Sequence, residues 1–488
     1  MDWSVAYRAE GGWLSVDVFE TKDCEALFKA LAGKGTVAVS RPSVFPPFGR
    51  ADFLRLVGNV VDLWSDIVLY SASETGERNM IDRWMLRDVV ESLRYRRIVH
   101  ITGARQTGKT TLASSAPIPG ARRYTMDNDT IRATAGDDPI EFTARRPGET
   151  VVIDEVQKAP ELLNAIKIHV DESADRGQYL LTGSSSLDFM RKAADSLAGR
   201  MHTVRLRTLT LGEVNGTPPT FLDGAFRRAF KTPALKMGKR AVIHQAFMGG
   251  YPETIGFPGH MLREWHEDYV GTLIARDVKD VAQVRKLDLL GDILRWVLAR
   301  SSKLWTMEDL CSSVQIAKET AATYVSALKA LYVIDRVPAW NKTDYDRIGK
   351  MPKYFATDTG LMASCLGWNE EDAFLDGDLS GKLIESWVYH EISAIAECSK
   401  ERYAISHYRD KDKREIDFIV TNGQGGGLLG IEVKAGGRVI GDDFRHLRWF
   451  AANLAKERPF TGIVLYSGDD VLPFGEGFYA VPFAALGA

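Results

Sequence analysis

The run Arg97-Ile-Val-His-Ile-Thr102 leads without a break into Gly103-Ala104-Arg105-Gln106-Thr107-Gly108-Lys109-Thr110. No other stretch of the chain limits its fold as much. A short apolar run rich in β-branched residues reads as a buried strand. A strand that enters a glycine loop and leaves it through helix-forming residues, Thr110-Thr111-Leu-Ala, is a strand–loop–helix unit. Glycines let backbone N–H groups surround phosphate oxygens. Lys109 stands where an ammonium reaches the β and γ phosphates, and Thr110 where a hydroxyl meets Mg²⁺. With a helix following the loop, the phosphates would lie at its N-terminus. The expected nucleotide-binding residues are therefore Gly103, Ala104, Arg105, Gln106, Thr107, Gly108, Lys109, Thr110 and Thr111.

Two further apolar runs end in polar residues. Val151-Val-Ile-Asp154-Glu155 places a carboxylate at the end of a buried strand. Asp154 is expected to join Thr110 in holding Mg²⁺ through water, and Glu155 to act as the general base on an attacking water. Gln178-Tyr-Leu-Leu-Thr182-Gly-Ser184 ends in hydroxyls, so Thr182 or Ser184 could sense the γ-phosphate or position water. Arg200 is a candidate arginine finger for a neighbouring subunit. With Lys109, these give an expected catalytic set of Glu155, Lys109, Arg200 and Thr182. The alternation of strands and helices predicts an α/β fold, a parallel sheet with its ligand at the strand C-termini.

A chain of 488 residues is too long for one core. Residues 1–78 carry Pro42, Pro46 and Pro47 and no chemical motif; a polar stretch, Ser71 to Asn79, reads as a linker. Residues 79–225 form the expected P-loop core, and 226–290 a helical lid or linker. Within 291–375, two helical segments and a strand suggest a winged helix, with Ala317 to Leu331 as its second helix and Lys318, Thr320, Thr323 and Lys329 at exposed positions. Residues 376–488 begin with a long helix and continue as short strands. The net charge of −3 argues against a basic coat over the whole molecule, although 62 Lys and Arg leave room for a local basic patch. The four cysteines form no CxxC pair and read as reduced thiols of a cytoplasmic protein. Neither a signal peptide nor an uncharged run of membrane-spanning length is expected.

Together, the loop, Asp154-Glu-Val-Gln-Lys-Ala-Pro-Glu-Leu-Leu163, Leu181-Thr-Gly-Ser-Ser-Ser and Leu197-Ala-Gly-Arg200 resemble the prokaryotic AAA-type, archaeal-ATPase-like proteins. Gly249-Gly-Tyr-Pro-Glu253, Arg276-Asp277 and Pro352-Lys-Tyr-Phe-Ala-Thr-Asp358-Thr-Gly-Leu361 extend the likeness, which runs from about Met80 to the C-terminus. The resemblance implies a P-loop domain, a winged helix and a C-terminal domain like restriction endonucleases, of the PD-(D/E)XK type. An extra N-terminal α/β unit stands outside it. It also implies ATP binding and hydrolysis, a cytoplasmic location and self-association as a homo-oligomer, with DNA binding among the roles it allows; ATP and Mg²⁺ are the expected cofactors, and duplex or branched DNA the expected partner. No membrane partner is expected.

Nucleases of that C-terminal fold use a helix acid, an Asp, and Glu-x-Lys on the next strand. Here Asp417 lies on one strand, and Glu432 and Lys434 follow fifteen residues later on another, both on one face. The segment Asn422 to Gly427 between them reads as a hairpin turn. Glu385 and Glu391 lie about 120° apart around the preceding helix, so only one can serve the site. Glu385 matches the family's glutamate. The candidate nuclease set is thus Glu385, Asp417, Glu432 and Lys434. Three readings follow: a DNA-associated ATPase, an ATP-gated metal-dependent nuclease, and a non-catalytic nucleotide switch that works through a protein partner.

Overall fold

In a computed structural model of the chain, five strands form a fully parallel sheet: β4 (Ile98–Thr102), β5 (Arg122–Thr125), β6 (Val151–Asp154), β7 (Tyr179–Gly183) and β8 (Met201–Arg205). The order across the sheet is β5-β6-β7-β4-β8. The structure describes residues 3–9, 12–18, 37–40, 81–184, 197, 199–278, 287–341, 350–423, 426–456 and 458–488. The N-terminal strands β1 (Trp3–Ala9), β2 (Gly12–Val18) and β3 (Val37–Ser40) pair antiparallel in the order β2-β1-β3. They belong to one unit, Met1–Ser71, and everything that follows belongs to a second, Ala72–Ala488. The expected linker Ser71 to Asn79 lies outside the described residues.

Both faces of the parallel sheet are covered, which explains its near-continuous apolar strands. Successive residues point to opposite faces. Val151, Ile153, Tyr179 and Leu181 join Leu162, Leu163, Ile166 and Val170 in one core layer. The latter four come from α3 (Glu161–Glu172). Val99, Ile101, Val152 and Leu180 face the other layer. There they meet Met85, Val89 and Leu93 of α1 (Met85–Tyr95) and Leu112 and Ala113 of α2 (Lys109–Ser115). The helix expected from Ile81 therefore starts four residues later, and Arg83 and Trp84 precede it.

Beyond the sheet the chain is helical. Helices α4 (Lys239–Met248), α5 (Gly259–Thr272) and α6 (Leu287–Leu298) lead to α7 (Met307–Val314) and α8 (Lys318–Ala330). A Thr306–Asp309 capping box starts α7. The helix pair runs into an antiparallel ribbon of β9 (Ile334–Val337) and β10 (Lys353–Ala356). After α9 (Thr359–Cys365), the long α10 (Gly377–Cys398) lies against a six-stranded mixed sheet. That sheet orders β11 (Tyr403–Arg409), β12 (Glu415–Asn422), β13 (Leu428–Lys434), β14 (Phe460–Tyr466), β15 (Leu472–Pro473) and β16 (Phe478–Pro482) as β11-β12-β13-β14-β16-β15. Strands β12 and β13 are antiparallel, placing Asp417 and Glu432 on adjacent strands; Gln424 and Gly425 of the expected turn lie outside the described residues. Among the described residues, no helix is long and apolar enough to cross a membrane.

Candidate functional site

Because the five strands are parallel, Thr102, Thr125, Asp154, Gly183 and Arg205 all arrive at one edge of the sheet. Open α/β sheets bind ligands at that edge. The loop leaves β4 through Gly103, whose φ is +148°; a Cβ there would lie 2.2 Å from the Leu206 carbonyl oxygen. Only glycine fits this close approach. Gln106 (φ +59°) and Gly108 (φ +90°) complete the turn, and Gly108 caps α2. The Thr107 hydroxyl donates to the Ala104 carbonyl at 3.0 Å. From outside the loop, Arg83 donates to the Thr107 carbonyl (2.7 Å) and the Arg207 carbonyl (2.6 Å), and pairs with Glu213 (3.0 Å). Arg83 thus braces the loop, a role its position 24 residues upstream of Thr107 gave no sign of.

The buried Lys109 lies back over the loop, donating to the carbonyls of Gly103 (3.1 Å) and Ala104 (2.7 Å). Beneath it, burial and the nearby Lys109 charge push the His100 imidazole down to about 3, so His100 stays neutral. The carboxylate of Asp154 is the hub. Its Oδ1 accepts from Thr110 (2.9 Å) and from Thr182 (2.5 Å), and its Oδ2 from Thr125 (3.2 Å). Thr182 can do this because β7 lies between the strand bearing the loop and the strand bearing Asp154. Its fully buried hydroxyl also accepts the Glu155 N–H at 3.0 Å. In this arrangement Thr182 is committed to Asp154 and Glu155. Glu155 itself sits in the left-handed region (φ +56°), its carboxylate held by Gln157 and within 3.5 Å of the Ser184 hydroxyl.

These groups open onto a cavity of about 610 Å³, a size typical of small-ligand sites. Arg105, Gln106, Gly108, Lys109, Thr110 and Thr111 form one wall; Gly103, Ala104 and Thr107 form the buried inner turn of the same loop. Asp127 and Lys158, paired with each other, and Glu155 stand beside it. The opposite wall comes from far along the chain: Pro252, Glu253, Trp265, Asp268, Tyr269 and Thr272. Pro252 and Glu253 belong to the Gly249–Glu253 motif, whereas no sequence signal marks Trp265. Arg200 is elsewhere. It immediately precedes β8, at the sheet edge opposite the loop, and pairs with Asp171 (2.5 and 2.9 Å). The structure does not bring it to this chain's own loop.

Thr110 and Asp154 fit a hydrated Mg²⁺. A hydroxyl and a carboxylate oxygen already share one small space, with the carboxylate oriented by two more threonines.

A family model described as an AAA domain matches residues 95–215. That stretch has the AAA-type P-loop ATPase fold. Models described as domains of unknown function match residues 239–372 (DUF8612) and 380–486 (DUF4143). The chain is similar to two uncharacterized mycobacterial proteins, Rv2008c of Mycobacterium tuberculosis and Mb2031c of Mycobacterium bovis. Each is 26% identical over 79% of this chain and 80% of the relative. Among solved structures it is similar to a Walker-type ATPase of Pyrococcus abyssi (16% identity, 61% of this chain and 99% of that one, TM-score 0.39). It is also similar to the RuvB Holliday junction branch migration motor of Thermotoga maritima (17% identity, 52% and 87%, TM-score 0.23).

A second cavity, of about 670 Å³, belongs to the C-terminal sheet. Glu385, Asp417 and Glu432 do converge on it, with Glu415 from the same face of β12. A cation is already present among them. Lys353, 1% exposed on β10, holds its ammonium 2.9 Å from Glu385, 2.8 Å from Glu415 and 3.9 Å from Asp417. Burial, then the charge of Glu385, pushes the Asp417 carboxyl up, although Lys353 pulls against this; burial and Asp417 push Glu432 up likewise. Lys434, expected to serve the same site, turns to Asp443 at 2.5 Å. Among the described residues no three His, Cys, Asp or Glu side chains are arranged to hold a metal ion. The set therefore does not fit a nuclease metal centre, because the lysine takes the place of the metal. Glu391, on the other side of α10, accepts the Leu211 N–H at 3.0 Å and takes no part.

The chain just beyond β10 packs against the segment that leads to the first cavity. Five residues beyond Lys353, Asp358 accepts the Gly250 N–H at 2.9 Å and the Leu361 N–H at 2.9 Å. Gly249 passes so close that a Cβ there would lie 2.4 Å from the same carboxylate. Pro252 and Glu253, two and three residues after Gly250, line the nucleotide cavity.

Proposed function

We propose that this protein binds ATP with Mg²⁺ at the loop Gly103–Thr111 and hydrolyses it, and that as a self-associating AAA-type ATPase it acts on duplex or branched DNA. The observation that carries the reading is the Asp154 hub, which joins Thr110 of the loop to Thr182 and Glu155 at the mouth of one cavity. Lys109 would leave the loop carbonyls for the β and γ phosphates. Thr110 and Asp154 would hold Mg²⁺, which when bound supplies neutralising charge beside the phosphates. Glu155 would accept the proton of the attacking water. Thr182 would keep Asp154 and Glu155 in register. Arg200 would act on the loop of a neighbouring copy, consistent with its distance from its own.

The DNA part of the reading rests on α7 and α8 followed by the β9–β10 ribbon, with Lys318, Thr323 and Lys329 exposed on the second helix. Such a unit can lie across a phosphate backbone. The ATP-gated nuclease is disfavoured by Lys353 among the carboxylates. A nucleotide switch acting through residues 1–78 and a protein partner is the remaining alternative.

The test is ATP turnover by the purified protein. Lys109→Ala should lose ATP binding, and Glu155→Gln should keep binding while losing at least about 100-fold in kcat. Wild-type protein without turnover would leave the switch as the better reading. Binding to duplex, single-stranded and branched DNA, with and without ATP, tests the second part; no binding to any of them would remove it.

A further inference from the structure

The nucleotide cavity has two chemically different walls. The loop wall offers backbone N–H groups, an ammonium and hydroxyls, which suit phosphates. It offers no flat apolar surface. The far wall is built on α5, where Trp265, Asp268, Tyr269 and Thr272 recur at helical spacing, so that one stripe of the helix faces the cavity. Helix α5 buries Leu262, His266 and Tyr269. Trp265, the largest side chain of that wall, is only half-buried.

Trp265 is fixed from behind. Its ring stacks on Tyr269 at 5.4 Å with planes 13° apart, and Tyr251 and His266 approach it at 5.0 and 5.3 Å. Tyr251 and Tyr269 are buried. Aromatic packing of this kind locks a rotamer at little entropic cost. The wall also abuts the loop: a Cβ at Gly108 would lie 4.0 Å from the Pro252 side chain. A molecule with phosphates on the loop would therefore share its cavity with the indole.

We propose that Trp265 is the platform on which the base of the bound nucleotide stacks, with purines favoured because their two fused rings cover more of the indole. This rests on the loop being a nucleotide site. A held indole gains stacking energy without new order in the protein, and base–aromatic stacking tolerates any base while rewarding the larger ones.

The experiment measures Kd for ATP, UTP and inorganic tripolyphosphate on the full-length protein, for wild type, Trp265→Ala, Trp265→Leu, Trp265→Phe and Lys109→Ala. Trp265→Ala and Trp265→Leu should weaken ATP about 10- to 100-fold. They should leave tripolyphosphate within twofold, and Trp265→Phe should keep most of the ATP affinity. Wild type should prefer ATP to UTP, and that preference should shrink in the Ala and Leu variants. Lys109→Ala should lose ATP and tripolyphosphate together. Should the Ala variant fail to fold, the Leu and Phe variants give the same ratio. If Trp265 variants bind ATP like wild type while Lys109→Ala does not, the platform is overturned and the loop stands. An equal fall for ATP and tripolyphosphate also overturns it, since that marks Trp265 as merely structural. If Lys109→Ala binds ATP normally, the loop reading itself has failed.

Discussion

Two buried ionisable residues carry separate consequences. Lys353 pairs with Glu385 and Glu415 and lies 3.9 Å from Asp417, from a site with 1% exposure. Removing one member of a buried ionic group costs more than the group contributes, because uncompensated charge remains. Lys353→Met is expected to lower stability by about 3–5 kcal/mol in urea unfolding, with part recovered when Glu385→Gln is added. Glu391 behaves differently. Burial pushes its carboxyl up to about 8, with the Leu211 N–H opposing and Glu213 adding to the rise. The unfolded chain loses this proton near the ordinary glutamate value of 4.5, the folded protein only at about 8. Between those values the folded state holds the extra proton, so its contribution is full below 4.5 and lost as pH rises towards 8. Glu391→Gln, which can still accept from Leu211, should melt close to wild type at pH 5 and a few degrees higher at pH 8. A melting difference independent of pH would refute the assignment.

At the scale of elements, what was legible was whatever the chemistry needs in consecutive residues. The loop, the strand before it and the Asp154–Glu155 pair are contiguous, so spacing alone gave them. The hub around Asp154 depends instead on β7 lying between β6 and β4. That order cannot be read from Thr182 and its neighbours, and the hydroxyl expected to meet phosphate was found holding two other residues. Thr182→Val should therefore lower kcat for ATP by about 10-fold or more while Kd for ATP stays within threefold, since the partner of a metal ligand is lost but no phosphate contact is. A large rise in Kd instead would mean that Thr182 touches nucleotide. Pro252 and Trp265, which line the cavity, and Arg83, which braces the loop, escaped for the same topological reason: each comes from a part of the chain outside the loop. Lys353 escaped because an ammonium among carboxylates needs partners from three elements, β10, α10 and β12.

Among the described residues, those that line the nucleotide cavity belong to Ala72–Ala488. A protein lacking residues 1–71 should keep wild-type affinity for ATP; a tenfold loss, read by the same binding assay, would tie the N-terminal unit to the site. The composition gave only the expectation of several domains, and the charge total said nothing of where acidic groups gather. The five-residue interval from Lys353 to Asp358 has a final consequence. One end must place an ammonium among three carboxylates, and the other must catch the backbone at Gly250. Lys353 opens β10 and Asp358 caps α9, so one inserted residue between them would displace one of the two ends. This interval works as a ruler. Loops elsewhere can lengthen or shorten as lineages diverge, but here a change of length would misplace one end, so mutation by single-residue insertion or deletion should be selected against.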